Sequence, residues 1–299
     1  MDKLAWFNKL SGQVANGINE QYMPEIMPLV ESSAAELGDF AAAQTAVSTD
    51  PDPLTPEIYL IRTPYQTREI ILGQFEGAAE RGFLKKTGDE AYALTDVGRE
   101  LAEKIAITAD SSGKKVQALP QAEMDQLVSL LHAVVDACVE AAEPPHSNLN
   151  RSRFYDPGLD APAIERVRRY LNDLNAFRDD AHISAWQAYD LAGYEWEAFS
   201  HIHGEFVFGD PVGNGEELAE KLNGFRGYDA PAYETALQEV TARGWLEEDD
   251  GRYKSTAEGR QLRENVEVET DRLFFAPWEL NVNETVALET LMTQLHESL

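Results

Sequence analysis

The sequence predicts a mainly α-helical protein carrying two small β-hairpins, arranged as a tandem repeat. Three observations predict it. Apolar residues recur with helical spacing over most of the 299 residues. Two short extended runs each surround a turn signal, Thr87-Gly88-Asp89 and Asp250-Gly251. The two regions also match each other residue by residue: Arg81-Gly82 recurs as Arg243-Gly244, Thr95 as Thr256, Gly98-Arg99 as Gly259-Arg260, Leu101 as Leu262 and Glu103 as Glu264. A one-residue slip falls between the matching blocks, at a hairpin tip, where length change is tolerated.

The elements follow in order. Segment 34–44 resembles 189–199, so the similarity extends upstream. Tyr233, Leu237, Val240 and Trp245 are spaced for one helix face, with a stop signal at Gly244. The run 245–256 then reads as a hairpin, and Thr256 as the N-cap of a further helix. The first repeat reads the same way, with Thr95 as its cap. Each half closes on an apolar-periodic helix, 121–142 and 284–297. The breaker-rich stretch around Pro144-Pro145 sets the seam, giving halves 1–147 and 148–299. Helix, hairpin, helix is the winged-helix order, and two such halves in one chain are expected to pack as a pseudo-dimer.

Residues 242–278 carry a resemblance. Thr256, Gly259 and Arg260, followed by Thr270, Asp271, Arg272, Leu273, Pro277 and Trp278, resemble the wing and following helix of MarR-type winged-helix proteins, and most of all the SalK-like family. The resemblance is clearest over 180–299 and implies a winged helix-turn-helix fold.

Composition bounds the partners. Asp and Glu number 53 against 25 Lys and Arg, a formal net charge of −28. Such a chain repels a polyanion unless its cations gather on one face. In the first half, Gln66, Arg68, Lys85 and Lys86 are the candidate DNA contacts. In the second, the helix face offers Glu234, Gln238 and Glu239, and the wing offers Glu247, Glu248, Asp249 and Asp250. DNA is therefore a disfavoured partner, and the expected role is a binding or regulatory module with a cavity between halves for a small, mostly apolar molecule. The alternatives are a DNA-binding regulator working through the first winged helix, and a small-molecule enzyme with a pocket around His182.

That pocket reading comes from 161–191. Ile164, Val167, Leu171, Leu174, Ala181 and Ala185 form an inward stripe, with Arg178, His182 and Trp186 beside it at i, i+4 and i+8. A cation, an imidazole and an indole on one line suit a ligand, although a core histidine and a core tryptophan give the same pattern. His201, His203 and Glu205 would share a face if extended, a weak metal-site pattern beside the plainer reading of a polar loop. No cofactor is expected: glycine-rich phosphate loops, nucleophile elbows and paired-histidine zinc motifs are absent from the sequence. Cys138, the single cysteine, lies on an apolar face with Leu131, Val134 and Val135 and reads as core. No long apolar run or signal peptide is read, so membrane partners are not expected, a cytoplasmic location is, and the chain is expected as a monomeric pseudo-dimer or a homodimer.

Overall fold

The computed structural model describes residues 4–33, 36–116, 118–204 and 212–299. In chain order the elements are α1 (Ala5–Ser32), α2 (Leu37–Val47), α3 (Pro56–Leu60), α4 (Arg68–Glu80), β1 (Leu84–Lys86), β2 (Tyr92–Leu94), α5 (Asp96–Gly113), α6 (Gln121–Glu140), α7 (Ser147–Arg153), α8 (Ala163–Gln187), α9 (Gly193–His203), α10 (Gly215–Arg226), α11 (Ala230–Ala242), β3 (Leu246–Asp249), β4 (Arg252–Ser255), α12 (Ala257–Phe275) and α13 (Val282–Ser298). The strands form two separate antiparallel hairpins, with Leu84 opposite Leu94 and Leu246 opposite Ser255. The chain divides into two compact units. One comprises Met1–Leu54, Phe75–Ala181 and Asp271–Leu299; the other comprises Thr55–Gln74 and His182–Thr270.

In the second unit the sequence signals act locally as expected. Asn214 caps α10 by accepting from Glu217 N, and Gly227 ends it in the left-handed conformation. Asp229 caps α11, which opens with Pro231 in its first turn. The helix buries Tyr233, Ala236, Leu237 and Val240. Trp245 lies beyond its end, beneath the Arg243 guanidinium. The hairpin reverses at Asp250 and Gly251, both at positive φ, as a primed two-residue turn requires. Tyr253 N donates to Gly213 O at 2.7 Å, tying the wing to the chain just before α10.

In the first unit the hairpin β1–β2 is joined by a bridge from the chain before α3. Leu54 and Tyr92 exchange both backbone bonds, at 2.7 and 3.0 Å. A helical core in this unit gathers α1, α5, α6, α13 and the first part of α8. Its buried residues include Leu127, Leu131, Leu171, Leu174, Phe177, Leu288 and Met292. The two closing helices of the repeat reading are α6 and α13, and the inward stripe of α8 is buried as expected. Cys138 is fully enclosed, and burial pushes its thiol up to about 12, so it is packing and not a nucleophile.

The wing-to-helix junction is built identically in the two units. Thr95 Oγ1 accepts from Gly98 N and donates to Gly82 O; Thr256 Oγ1 accepts from Gly259 N and donates to Gly244 O. The preceding Gly82 and Gly244 both take positive φ. A Cβ on Gly98 would stand 2.5 Å from Phe83 O, and one on Gly259 2.0 Å from Trp245 O. Both obstacles are backbone, so neither can rotate away. Gly98→Ala and Gly259→Ala are each expected to cost about 1–3 kcal/mol, more at 259. Chemical denaturation of the two variants checks this; unchanged midpoints would mean that the junctions have slack.

Candidate nucleic-acid interface

A winged helix meets DNA with the exposed face of its second helix-turn-helix helix and with its wing. In the second unit that helix is α11, whose exposed residues include Thr235, Gln238 and Glu239. Glu234 does not face outward freely. Its carboxylate accepts from Tyr253 Oη at 2.5 Å and lies 3.4 Å from Gly215 N. The wing carries two cations, and both meet carboxylates. Lys254 Nζ lies 3.6 Å from Glu247 and 3.5 Å from Asp249, and Arg252 holds Glu217 at 2.6 Å. The Arg252 bonds hold the Glu217 carboxyl below the usual carboxylate range. Glu247, Glu248, Asp249 and Asp250 are all exposed.

The first repeat offers a different surface. Along α4 the exposed positions are Glu69, Gly73, Glu76 and Glu80. Gln66 is buried, and its Nε2 donates to Phe225 O at 2.8 Å. Arg68 Nη1 is bonded to Glu57 Oε1 at 2.5 Å, which pulls the Glu57 carboxyl down to about 2. Lys85 and Lys86 are exposed on β1, Lys86 5.8 Å from the Tyr92 ring centre. Neither has a carboxylate within ion-pair distance among the described residues. Of the four candidate contacts, these two present open charge.

The Arg178, His182 and Trp186 line lies on α8 as predicted, but its members have separate surroundings. Arg178 belongs to the first unit, where its Nη2 lies 3.7 Å from Asp271 Oδ1. His182 and Trp186 belong to the second. Trp196 Nε1 donates to His182 Nε2 at 3.3 Å, so that nitrogen is an acceptor. Nδ1 is then the protonated nitrogen and donates to Thr270 Oγ1 at 3.2 Å, which in turn donates to Val266 O. Glu267 Oε1 stands 3.9 Å away. Both ring nitrogens are thus engaged in holding α8, α9 and α12 together within this unit. Trp186 is buried and stacks on Trp196, centroids 6.1 Å apart and planes 8° apart.

His201 and His203 lie in the last turn of α9, not on a strand or in a loop. Two residues apart on a helix, they do not share a face. His203 Nδ1 lies 3.3 Å from Ser255 Oγ, and His201 points inward. Glu205 lies outside the described residues. Among the described residues no group of three metal-ligating side chains comes together. Sequence reasoning missed the most highly charged interior feature of the unit. Glu197 on α9 is 3% exposed and is gripped by Arg226 at the end of α10. Its one sequence signal is a glutamate set among Trp196, Ala198 and Phe199.

Residues 164–299 match the model of a helix-turn-helix family. No curated protein and no solved structure matches the chain. The match supports a generic helix-turn-helix fold over that region, which suggests at a coarse level a DNA-binding regulatory role. No helix among the described residues is long and apolar enough to cross a membrane.

Proposed function

We propose that this protein is a winged-helix regulator with two halves, 1–147 and 148–299, that descend from a tandem duplication, and that the second half reads DNA weakly or not at all. The observation that carries the second claim is the state of the second wing. Its two cations are engaged by carboxylates while further carboxylates stand exposed at the tip. A phosphate chain brought there would meet net negative charge in a molecule already at −28. The duplication is supported by the matched threonine caps, the matched glycines and the backbone bond that Tyr92 and Tyr253 each donate to a segment outside their hairpin. The same residues favour MarR-type, SalK-like kinship.

A second reading has its own observation. Lys85 and Lys86 carry open charge on the first wing, so any DNA contact falls there. Two neutralised phosphates give a slope of log affinity against log salt of about −1.8. Fluorescence anisotropy with duplex DNA between low and moderate salt is expected to return weak binding with a slope no steeper than this. Lys85→Ala with Lys86→Ala is expected to remove it. Nanomolar binding with a slope several times steeper, unmoved by the double variant, would overturn both readings.

A further inference from the structure

Four side chains of the second unit follow one another around a ring of contacts. His182, near the end of α8, accepts at Nε2 from the Trp196 indole N–H on α9 at 3.3 Å, and its Nδ1 lies 3.2 Å from Thr270 Oγ1 on α12. Glu267, three residues before Thr270, brings Oε1 to 3.9 Å from the same Nδ1. Arg263, one turn further back on α12, holds that Oε1 through Nη1 at 3.2 Å. Its guanidinium stands 4.8 Å from the Trp196 ring centre, which closes the ring. Trp196 and Thr270 are buried, whereas the His182 side chain is 21% exposed, so a proton can reach the imidazole. The acids flanking Trp196 on α9 are engaged elsewhere: Glu195 accepts from Ala192 N, and Glu197 pairs with Arg226. Along α8 the nearest charged groups are Arg178 and Asp179, one turn before His182, and along α12 Asp271 follows Thr270.

The ring is satisfied only while the imidazole is neutral. An indole N–H donates and cannot accept, so Nε2 must stay without a proton for Trp196 to be bonded. Thr270 Oγ1 gives its own proton to Val266 O and therefore takes the one on Nδ1. A second proton on the imidazole sets Nε2–H against the indole N–H, two donors facing each other. Trp196, 2% exposed, then keeps a buried donor without an acceptor, which is unfavourable. The new charge is attracted to Glu267, which Arg263 must now share. One proton thus opposes Trp196 and favours Glu267. The consequence falls on α9, which also meets β4 through His203 and Ser255, and Trp245 through Phe199 at a centroid separation of 6.4 Å.

We propose that His182 is a proton-operated latch. Neutral, it fastens α9 to α8 and α12 through Trp196; protonated, it releases Trp196 and turns to Glu267, so that mildly acidic conditions loosen α9, the helix that meets the second wing. Histidine is the side chain whose ordinary titration falls in that range. The latch concerns the second unit alone and stands whether or not that unit meets DNA.

The test follows the Trp196 indole N–H resonance of the full chain by nuclear magnetic resonance between about pH 8 and 5, the histidine range, with circular dichroism verifying the fold. The resonance is expected to move upfield on a single titration as its hydrogen bond is lost. His182→Gln, whose amide offers one donor and one acceptor but takes up no proton, is expected to abolish the movement. Glu267→Gln is expected to lower the midpoint by roughly one pH unit, the effect of one charge about 4 Å away near the surface. His201→Gln is expected to leave it unchanged, because His201 titrates only at about 4 in the folded protein. Trp196→Phe removes the opposing donor, so the His182 ring resonance is expected to titrate at higher pH than in the wild type, a readout that does not depend on the His182 variant folding. An indole resonance that stays still, one that moves equally in His182→Gln, one that stops moving in His201→Gln, or a His182 midpoint unraised in Trp196→Phe would each overturn the proposal.

Discussion

Replacing Arg226 by Met is expected to destabilise the second unit by roughly 3–5 kcal/mol, the effect of stranding one partner of a buried ion pair. Arg226 Nε lies 2.9 and 3.1 Å from the two Glu197 oxygens, and Nη2 lies 2.8 Å from Oε1. The guanidinium also stands 5.5 Å from the Tyr65 ring centre. Methionine keeps most of the side-chain volume, so the loss isolates the charge. Burial already pushes the Glu197 carboxyl above the usual range, against the pull of Arg226. Without the guanidinium that rise grows, and the carboxyl takes up a proton in preference to remaining charged and alone. The deficit of Arg226→Met is therefore expected to shrink as pH falls.

The double variant Glu197→Leu with Arg226→Met separates the pair from its parts. Two well-packed apolar side chains remove the desolvation penalty of both ions together, so the double variant is expected to recover most of the stability lost by the single one. Urea denaturation of the three proteins at neutral pH makes the measurement. A single-variant loss under about 1 kcal/mol would place Glu197 in contact with water or another cation, and failure of the double variant to recover would assign the loss to packing.

What was legible in the sequence, and what was not, follows from the range of the forces involved. The wing turn at Asp250-Gly251, the threonine caps at 95 and 256, and the buried stripe of α8 are decided by residues a few positions apart, and each lies where local chemistry puts it. Partners of charged groups are decided across the fold. Arg68 reads as an open cation until Glu57 is placed beside it. Gln66 reads as a groove contact until Phe225 O is found to accept its amide. Glu234 reads as an exposed carboxylate until Tyr253 donates to it. His201 and His203 were misread for another reason: the helix runs on to Gly204, whose positive φ ends it, so an alternating pattern that suits a strand lies in its last turn. The short α7 left no periodicity at all, since seven residues hold too few turns for one.

His201 gives the fold an acid sensitivity with a calculable window. The side chain is 1% exposed on α9, and burial holds its pKa down at about 4, helped by the positive charges of Lys221 and Arg226. In the unfolded chain the same group titrates near the ordinary value of about 6.5. Between these values the unfolded state binds a proton that the folded state refuses, so stability falls as pH falls from about 6.5 to about 4 and is unaffected by this group above that range. The integrated effect is about 3 kcal/mol. Carboxylates titrate in the same interval, so the informative quantity is the difference between the wild type and His201→Gln, which keeps a polar side chain of similar size but cannot take up the proton. The wild-type stability measured by urea denaturation is expected to fall more steeply between pH 6.5 and 4 than that of the variant, while the two curves run parallel above pH 7. Parallel curves throughout would mean that His201 meets solvent or a carboxylate that stabilises its charged form, and the inner face of α9 would then be wetter than the burial of His201 implies.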